Sequence, residues 1–262
     1  LYDFRQECHT MTAMDVILSG NPYPLRGMIL TGANPVLTNP NTLKVKKALE
    51  SLDLLVVRDL FLTETAELAH YVLPAASFLE RSELHVHSMF QLVNLSKKVL
   101  SFPDCQDEYQ FWHNLARRLD LGNYFPWENE TELNKWLLEP TGISLADLEQ
   151  HPEGIQYRKR HYEKWRTKPL STPSGKVEFT SQYLKDLGYN EIPEYKSPTY
   201  LESQDQEYPF VLITGARNVL YYHGRNRNVA RFRTAIPEAE MEIHPQDAQK
   251  MGLQEGDLVR VT

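Results

Sequence analysis

The sequence predicts an α/β protein: part of a parallel-sheet domain, then connecting structure, then a small β-barrel or sandwich. Three observations carry that prediction. Met28-Ile29-Leu30 and Leu54-Leu55-Val56-Val57 are short apolar runs that break into small and polar residues, as strands buried on both faces of a parallel sheet do. Between them lies an amphipathic helical pattern. From residue 208 onward, short strand-like runs are joined by a single brief helical segment.

Taken in order, residues 1–26 end in Gly20-Asn21-Pro22-Tyr23-Pro24, a loop that delivers the chain to its first strand. Asn41 or Thr42 can cap the next helix. Val45, Ala48, Leu49 and Leu52 fall at i, i+3, i+4 and i+7, which leaves Lys44, Lys46 and Lys47 largely in solvent. Strand, loop, helix and strand over residues 28–59 make one βαβ unit with a right-handed crossover. A second helix is expected across residues 63–70, capped by Thr63 with Glu64 in its first turn. Tyr71-Val72-Leu73 returns as a third strand, stopped by Pro74.

Further along, residues 90–95 alternate as a strand, and residues 107–121 form a helix with Phe111, Leu115 and Leu119 on its apolar side and Gly122 as its stop. Residues 123–205 are rich in proline, aromatics and charge. Short helices are expected there at 130–138 and 144–149, and Pro173-Ser174-Gly175 reads as a turn into a strand at 176–179. The most linker-like stretch is 202–207, so the chain divides into an α/β part at 1–125, a connecting region at 126–206 and a barrel start at 207–262. In that last part residues 208–213, 241–244 and 257–261 read as strands, and 245–251 as a short helix ending at Gly252.

Lys and Arg total 28 against 35 for Asp and Glu, a net charge of -7, so the excess of positive charge that nucleic acid requires is lacking. No apolar run approaches the roughly 20 residues that span a bilayer, and direct membrane insertion is not expected. Cys8 and Cys105 are far apart, which argues against a disulfide framework or a cysteine-built metal cluster. The chain opens at Leu1 and closes just after a strand-like run, as a piece of a longer polypeptide would.

In an open α/β sheet, ligands bind at the carboxyl ends of the strands. Any site should therefore lie beside residues 32–35 and 59–65. On the residues alone, Asp59 reads first as a cap of the following turn, Gly32-Ala33-Asn34-Pro35 as an ordinary turn, and Thr63-Glu64 as a helix start. His85, His87 and His113 lack carboxylate or cysteine partners at a metal-binding spacing and read as surface or structural. Arg225, Arg227, Arg231 and Arg233 adjoin Tyr221, Tyr222 and His223, a combination that favours an anion-facing groove over a solvated face.

Five ordered stretches, LTGANP, VVRDLFLTETAELAHYVLPAA, TPSGKVEF, LITGAR with YYHGRNRN, and EIHPQDAQKMGLQEGDLVRV, resemble the molybdopterin-dependent oxidoreductases of the dimethyl sulfoxide reductase superfamily. The resemblance covers nearly the whole chain. It implies the end of a dinucleotide-binding α/β domain followed by a truncated double-psi β-barrel, and a cofactor of two molybdopterin guanine dinucleotides holding molybdenum or tungsten. Matched by motif, Gly32, Asn34 and Pro35 would approach one dinucleotide, with Asp59, Thr63, Glu64 and Thr65 as the polar edge beside it. Thr214, Gly215, Arg217, His223, Arg225 and Asn228 match the segment that closes over pterin and pyrophosphate groups, where arginine supplies a planar fork of donors.

The resemblance also implies limits. Where the family has Ala-Asp before its Val-Leu-Pro strand, this chain has Ala69-His70. The family's iron–sulfur cysteines and its metal-ligating Cys, selenocysteine or Ser lie upstream, so these residues alone supply no catalytic centre and depend on the remainder of their polypeptide. An iron–sulfur electron-transfer subunit is a further implied partner. The parent reaction would be two-electron redox or oxygen-atom transfer. The YYHGRNRN form leans toward the branch of polysulfide, thiosulfate and arsenic enzymes, which also holds a hydratase. A non-catalytic binding or assembly module of the same fold is the alternative.

Overall fold

In the computed structural model, which describes residues 8–198, 208–215, 218–221 and 224–261, the apolar runs form β1 (Gly27–Thr31) and β2 (Leu54–Asp59). With β3 (Tyr71–Pro74) they make a three-stranded parallel sheet in the order β1-β2-β3. The register runs from Gly27 opposite Leu54 to Thr31 opposite Arg58, and from Val56 opposite Tyr71 to Asp59 opposite Pro74. All the carboxyl ends therefore share one edge.

Helices α1 (Thr10–Ser19), α2 (Pro35–Thr38) and α3 (Thr42–Glu50) accompany the sheet. Asn41 starts α3 by accepting the Lys44 N–H at 3.2 Å. The periodic stripe Val45, Ala48, Leu49 and Leu52 is buried and meets Leu55, Val57, Met14, Val36 and Ala66 in one core. Lys46 and Lys47 stay exposed, whereas Lys44 reaches Asp15 on α1.

The helix expected across residues 63–70 is a single 3-10 turn at Ala66–Leu68. Its physical reason is the short return from β2 to β3. The His70 N–H donates to Leu55 O at 2.9 Å and His70 Nδ1 accepts the Leu55 N–H at 2.9 Å, so the chain is already back in the ladder where a helix would continue. Parallel strands usually need a dozen or more residues for the crossover, and this connection has no room for a full helix.

A second sheet is antiparallel, with β4 (Glu83–His87), β5 (Leu92–Ser96) and β6 (Ile155–Gln156) in order. The strand expected from residue 90 starts at Leu92 because Gln91 takes φ +54° in the hairpin turn. Helix α4 (Glu108–Arg118) lies within the predicted 107–121 span. Helices α5 (Glu130–Leu138) and α6 (Leu145–Gln150) fall in the stretch read as connecting structure. There Leu138 and Leu148 bury against Val93 of β5 in a second core.

Ser144 and Asp147 form a capping box on α6: the Ser144 hydroxyl accepts the Asp147 N–H at 3.1 Å, and the Ser144 N–H donates to Asp147 Oδ2 at 2.8 Å. The Ser144 hydroxyl, and then its backbone N–H, hold the Asp147 carboxyl below the usual aspartate range. A depressed folded value means that this contribution is present above the unfolded aspartate pKa and is lost as pH falls through the folded one. Below about pH 4 the melting temperature should therefore fall more steeply for the wild type than for Asp147→Asn. Parallel acid limbs would count against the box.

The strand expected at residues 176–179 is absent. Thr172 Oγ1 donates to Lys176 O at 2.7 Å and the Ser174 N–H to Glu178 Oε1 at 2.8 Å, a local turn with no partner strand to extend it. Helix α7 (Gln182–Asp186) follows.

The chain divides into two compact units between Ile213 and Thr214. The second contains α8 (Ala230–Ala235) and α9 (Pro245–Met251), the latter ending at Gly252 with φ +70° as its sequence predicts. Residues 208–213, 241–244 and 257–261 form no strand pairs among the described residues, so the expected barrel is not formed by them. Alternating strands gain little without a partner ladder, and Ile213 and Leu258 stand 81% and 96% exposed. Among the described residues, no helix is long and apolar enough to cross a membrane.

Candidate functional site at the carboxyl edge of the parallel sheet

Gly32 leaves β1 with φ +59°, a conformation that favours glycine, and its N–H donates to Arg58 O at 2.9 Å. A side chain added there would meet nothing within 4 Å, so the backbone borders open space. Next to it, Thr31 Oγ1 is buried with no hydrogen-bond partner among the described residues.

The loop after β1 is locked to the turn after β2. Asn34 Nδ2 donates to Glu64 Oε2 at 2.8 Å, Thr65 Oγ1 donates to Asn34 Oδ1 at 2.6 Å, and the Val36 N–H donates to Thr65 Oγ1 at 3.2 Å. Thr65 is fully buried, and Pro35 opens α2 as a buried first residue. Thr63, also buried, accepts the Ala66 N–H at 3.2 Å and starts the 3-10 turn. Asn34, Thr63 and Thr65 thus spend their side chains on the protein.

Asp59 divides its carboxylate. Oδ1 accepts the N–H groups of Leu60 and Phe61 at 2.7 and 3.3 Å, while Oδ2 has no hydrogen-bond partner among the described residues. The cap reading and the ligand reading are therefore compatible, one on each oxygen. Open backbone at Gly32 and a carboxylate oxygen of Asp59 left over from the turn together suit a polyhydroxylated, hydrogen-bonding ligand, as the sugar and base of a nucleotide are.

In the second unit, Thr214 and Gly215 are exposed, and Arg217 and His223 lie outside the described residues. Arg225 and Asn228 are exposed on a turn braced by Asn226 Nδ2 donating to Leu220 O at 3.0 Å and by the Tyr221 hydroxyl donating to Ile236 O. The histidines serve local contacts: His85 Nε2 meets Ser96 Oγ at 2.7 Å, His87 Nε2 meets Asn94 Oδ1 at 3.1 Å, and His113 is buried beside Tyr109. No group of three or more metal-binding side chains occurs among the described residues.

Sequence reasoning passed over Thr31 and Arg58. Arg58 is 1% exposed and pairs with Glu108 of α4 at 2.7 Å. The signal was an arginine following the apolar run LLVV, of which Leu55 and Val57 are buried while Leu54 is 42% exposed; a charge there demands a carboxylate, although nothing in the strand says which one.

Residues 12–118 match the family described as molybdopterin oxidoreductase, and residues 210–262 match the molydopterin dinucleotide binding domain. The chain carries a molybdopterin oxidoreductase region followed by a dinucleotide-binding region. Among its relatives, acetylene hydratase of Syntrophotalea acetylenica is 32% identical over 92% of this chain and 34% of its own length. The alpha subunit of the F420-dependent formate dehydrogenase of Methanocaldococcus jannaschii is 31% identical over 90% and 34%. The structure of acetylene hydratase from Pelobacter acetylenicus superposes with a TM-score of 0.84 at 29% identity, covering 94% of this chain and 35% of that one. The chain thus spans about a third of the length of these relatives. The Gly32 edge lies in the first matched region, and the Arg225 turn in the second.

Proposed function

We propose that this chain supplies part of the binding site for a molybdopterin guanine dinucleotide in a longer oxidoreductase. The observation that carries this reading is the carboxyl edge itself, where the Gly32 backbone borders open space and Asp59 Oδ2 has no hydrogen-bond partner among the described residues. Asp59 offers one oxygen, enough to accept from a ribose hydroxyl or a guanine N–H, and Gly32 lets the ligand approach the backbone. Thr214, Gly215, Arg217, His223, Arg225 and Asn228 are assigned to pterin and pyrophosphate contacts, with arginine matching anionic oxygens. The unpaired strand segments of the second unit are assigned to a double-psi barrel completed by further polypeptide.

When bound, two such dinucleotides holding molybdenum or tungsten supply two-electron redox or oxygen-atom transfer. The chain's own residues bind and orient. The metal ligand and an iron–sulfur cluster are assigned to an N-terminal part of the polypeptide, with an iron–sulfur subunit as electron-transfer partner. The relatives named for acetylene hydration and for formate oxidation are almost equally similar, so similarity alone does not choose between them.

The test is the full-length protein from its native host. Pterin, guanine nucleotide and molybdenum or tungsten are expected in stoichiometric amounts, and a folded, soluble protein lacking all of them would leave only a non-catalytic module of the same fold. Asp59→Asn keeps an oxygen for the Leu60 and Phe61 N–H groups but can replace the outward acceptor by a donor. Loss of a hydrogen bond to a charged group, worth about 1.5–3 kcal/mol, should raise the rate of guanine-nucleotide loss at least about tenfold with little change in melting temperature.

A further inference from the structure

Arg58 is a side chain that ties the site edge to α4 and the segment leading into it. Nη1 donates to Glu108 Oε2 at 2.7 Å, Nη2 donates to Gln106 O at 3.0 Å, and the Phe111 ring centroid lies 4.2 Å from Cζ. Glu108 is itself held, because its other oxygen accepts Trp112 Nε1 at 2.7 Å. Around this fork the backbone converges. Gly32 N–H donates to Arg58 O at 2.9 Å, Ala75 N–H to Asp59 O at 3.2 Å, and Ala76 N–H to Gln106 O at 3.2 Å. The exits of β1, β2 and β3 and the approach to α4 are thus joined at the Arg58–Asp59 dipeptide.

We infer that Arg58, held by Glu108, is a positioning residue that fixes the direction of the Asp59 carboxylate toward the dinucleotide. The inference rests on the proposed reading of Asp59 as a cofactor contact. A planar guanidinium can satisfy a carboxylate and a carbonyl while lying flat on an aromatic ring; a lysine ammonium cannot hold the same geometry. A shift of the Arg58 side chain therefore moves the next residue, whose Oδ2 has no hydrogen-bond partner among the described residues.

The experiment uses the holoprotein from its native host. Wild type, R58K, E108Q, D59N and the doubles R58K/D59N and E108Q/D59N are compared by the rate at which bound guanine nucleotide is lost, assayed as GMP after acid treatment, and by melting temperature. R58K and E108Q should each speed loss about fivefold when Asp59 is present and less than about twofold in the D59N background, the non-additivity of residues acting through one another. Equal factors in both backgrounds, no acceleration, or acceleration that only follows melting temperature would overturn the inference. So would a D59N protein that loses nucleotide at the wild-type rate, while leaving a nucleotide-bearing holoprotein intact as the broader reading. Absence of guanine nucleotide from wild type would overturn both. Should R58K not fold, the E108Q cycle decides.

Discussion

Leu55→Ala is expected to destabilise the first unit by about 3–5 kcal/mol. Leu55 is fully buried in the central strand of the parallel sheet, in a core with Val45, Ala48, Leu49 and Val57. Truncation removes apolar surface from contact and leaves a cavity that strands paired on both edges cannot close. Against a typical total of about 5–15 kcal/mol, that loss should shift the denaturation midpoint strongly with an unchanged slope. Leu54→Ala is the internal comparison: one residue away but 42% exposed, it should cost no more than about 1 kcal/mol. Similar losses at both positions would show that the alternation along β2 does not set the core.

Asn34→Ala should come next in size, at about 2–3 kcal/mol, although the deleted amide is small and only half-buried. The cost lies in what it leaves behind. Thr65 is fully buried and loses the acceptor for its hydroxyl proton, and Glu64 loses a donor at 2.8 Å. An unmet buried polar group costs more than the bond is worth when made. Chemical denaturation gives the stability. Nucleotide retention by the holoprotein should fall with it, because the loop carrying Gly32 is no longer tied to the turn after Asp59. A variant within about 0.5 kcal/mol of wild type, the range of an ordinary surface change, would mean that the loop is held by its backbone alone.

The α/β part was legible because its signals are local and periodic. The stripe from Val45 to Leu52 faces the core as its spacing predicts, and Leu54 to Asp59 pairs in parallel on both sides. The shared edge proposed as the site followed from topology, since parallel strands bring their carboxyl ends together. What the sequence concealed was nonlocal. The turn at residues 63–70 is shortened by a bond between His70 and Leu55, and Arg58 finds its carboxylate on α4, fifty positions along the chain. Asp59 looked like either a cap or a ligand contact; only the separate fates of its two oxygens show that both can hold. The 208–261 strands were readable as patterns, but a pattern makes a strand only where another strand answers it.

His70 stands where the family resemblance implies an aspartate, and its bond to the Leu55 N–H gives that difference a chemical meaning. An imidazole nitrogen that accepts must keep its lone pair, so the ring proton belongs on Nε2. The position asks for an acceptor within reach of one backbone amide and makes no demand for negative charge. Aspartate and neutral histidine are interchangeable by that criterion, at the foot of the ladder and away from the edge proposed to meet the dinucleotide.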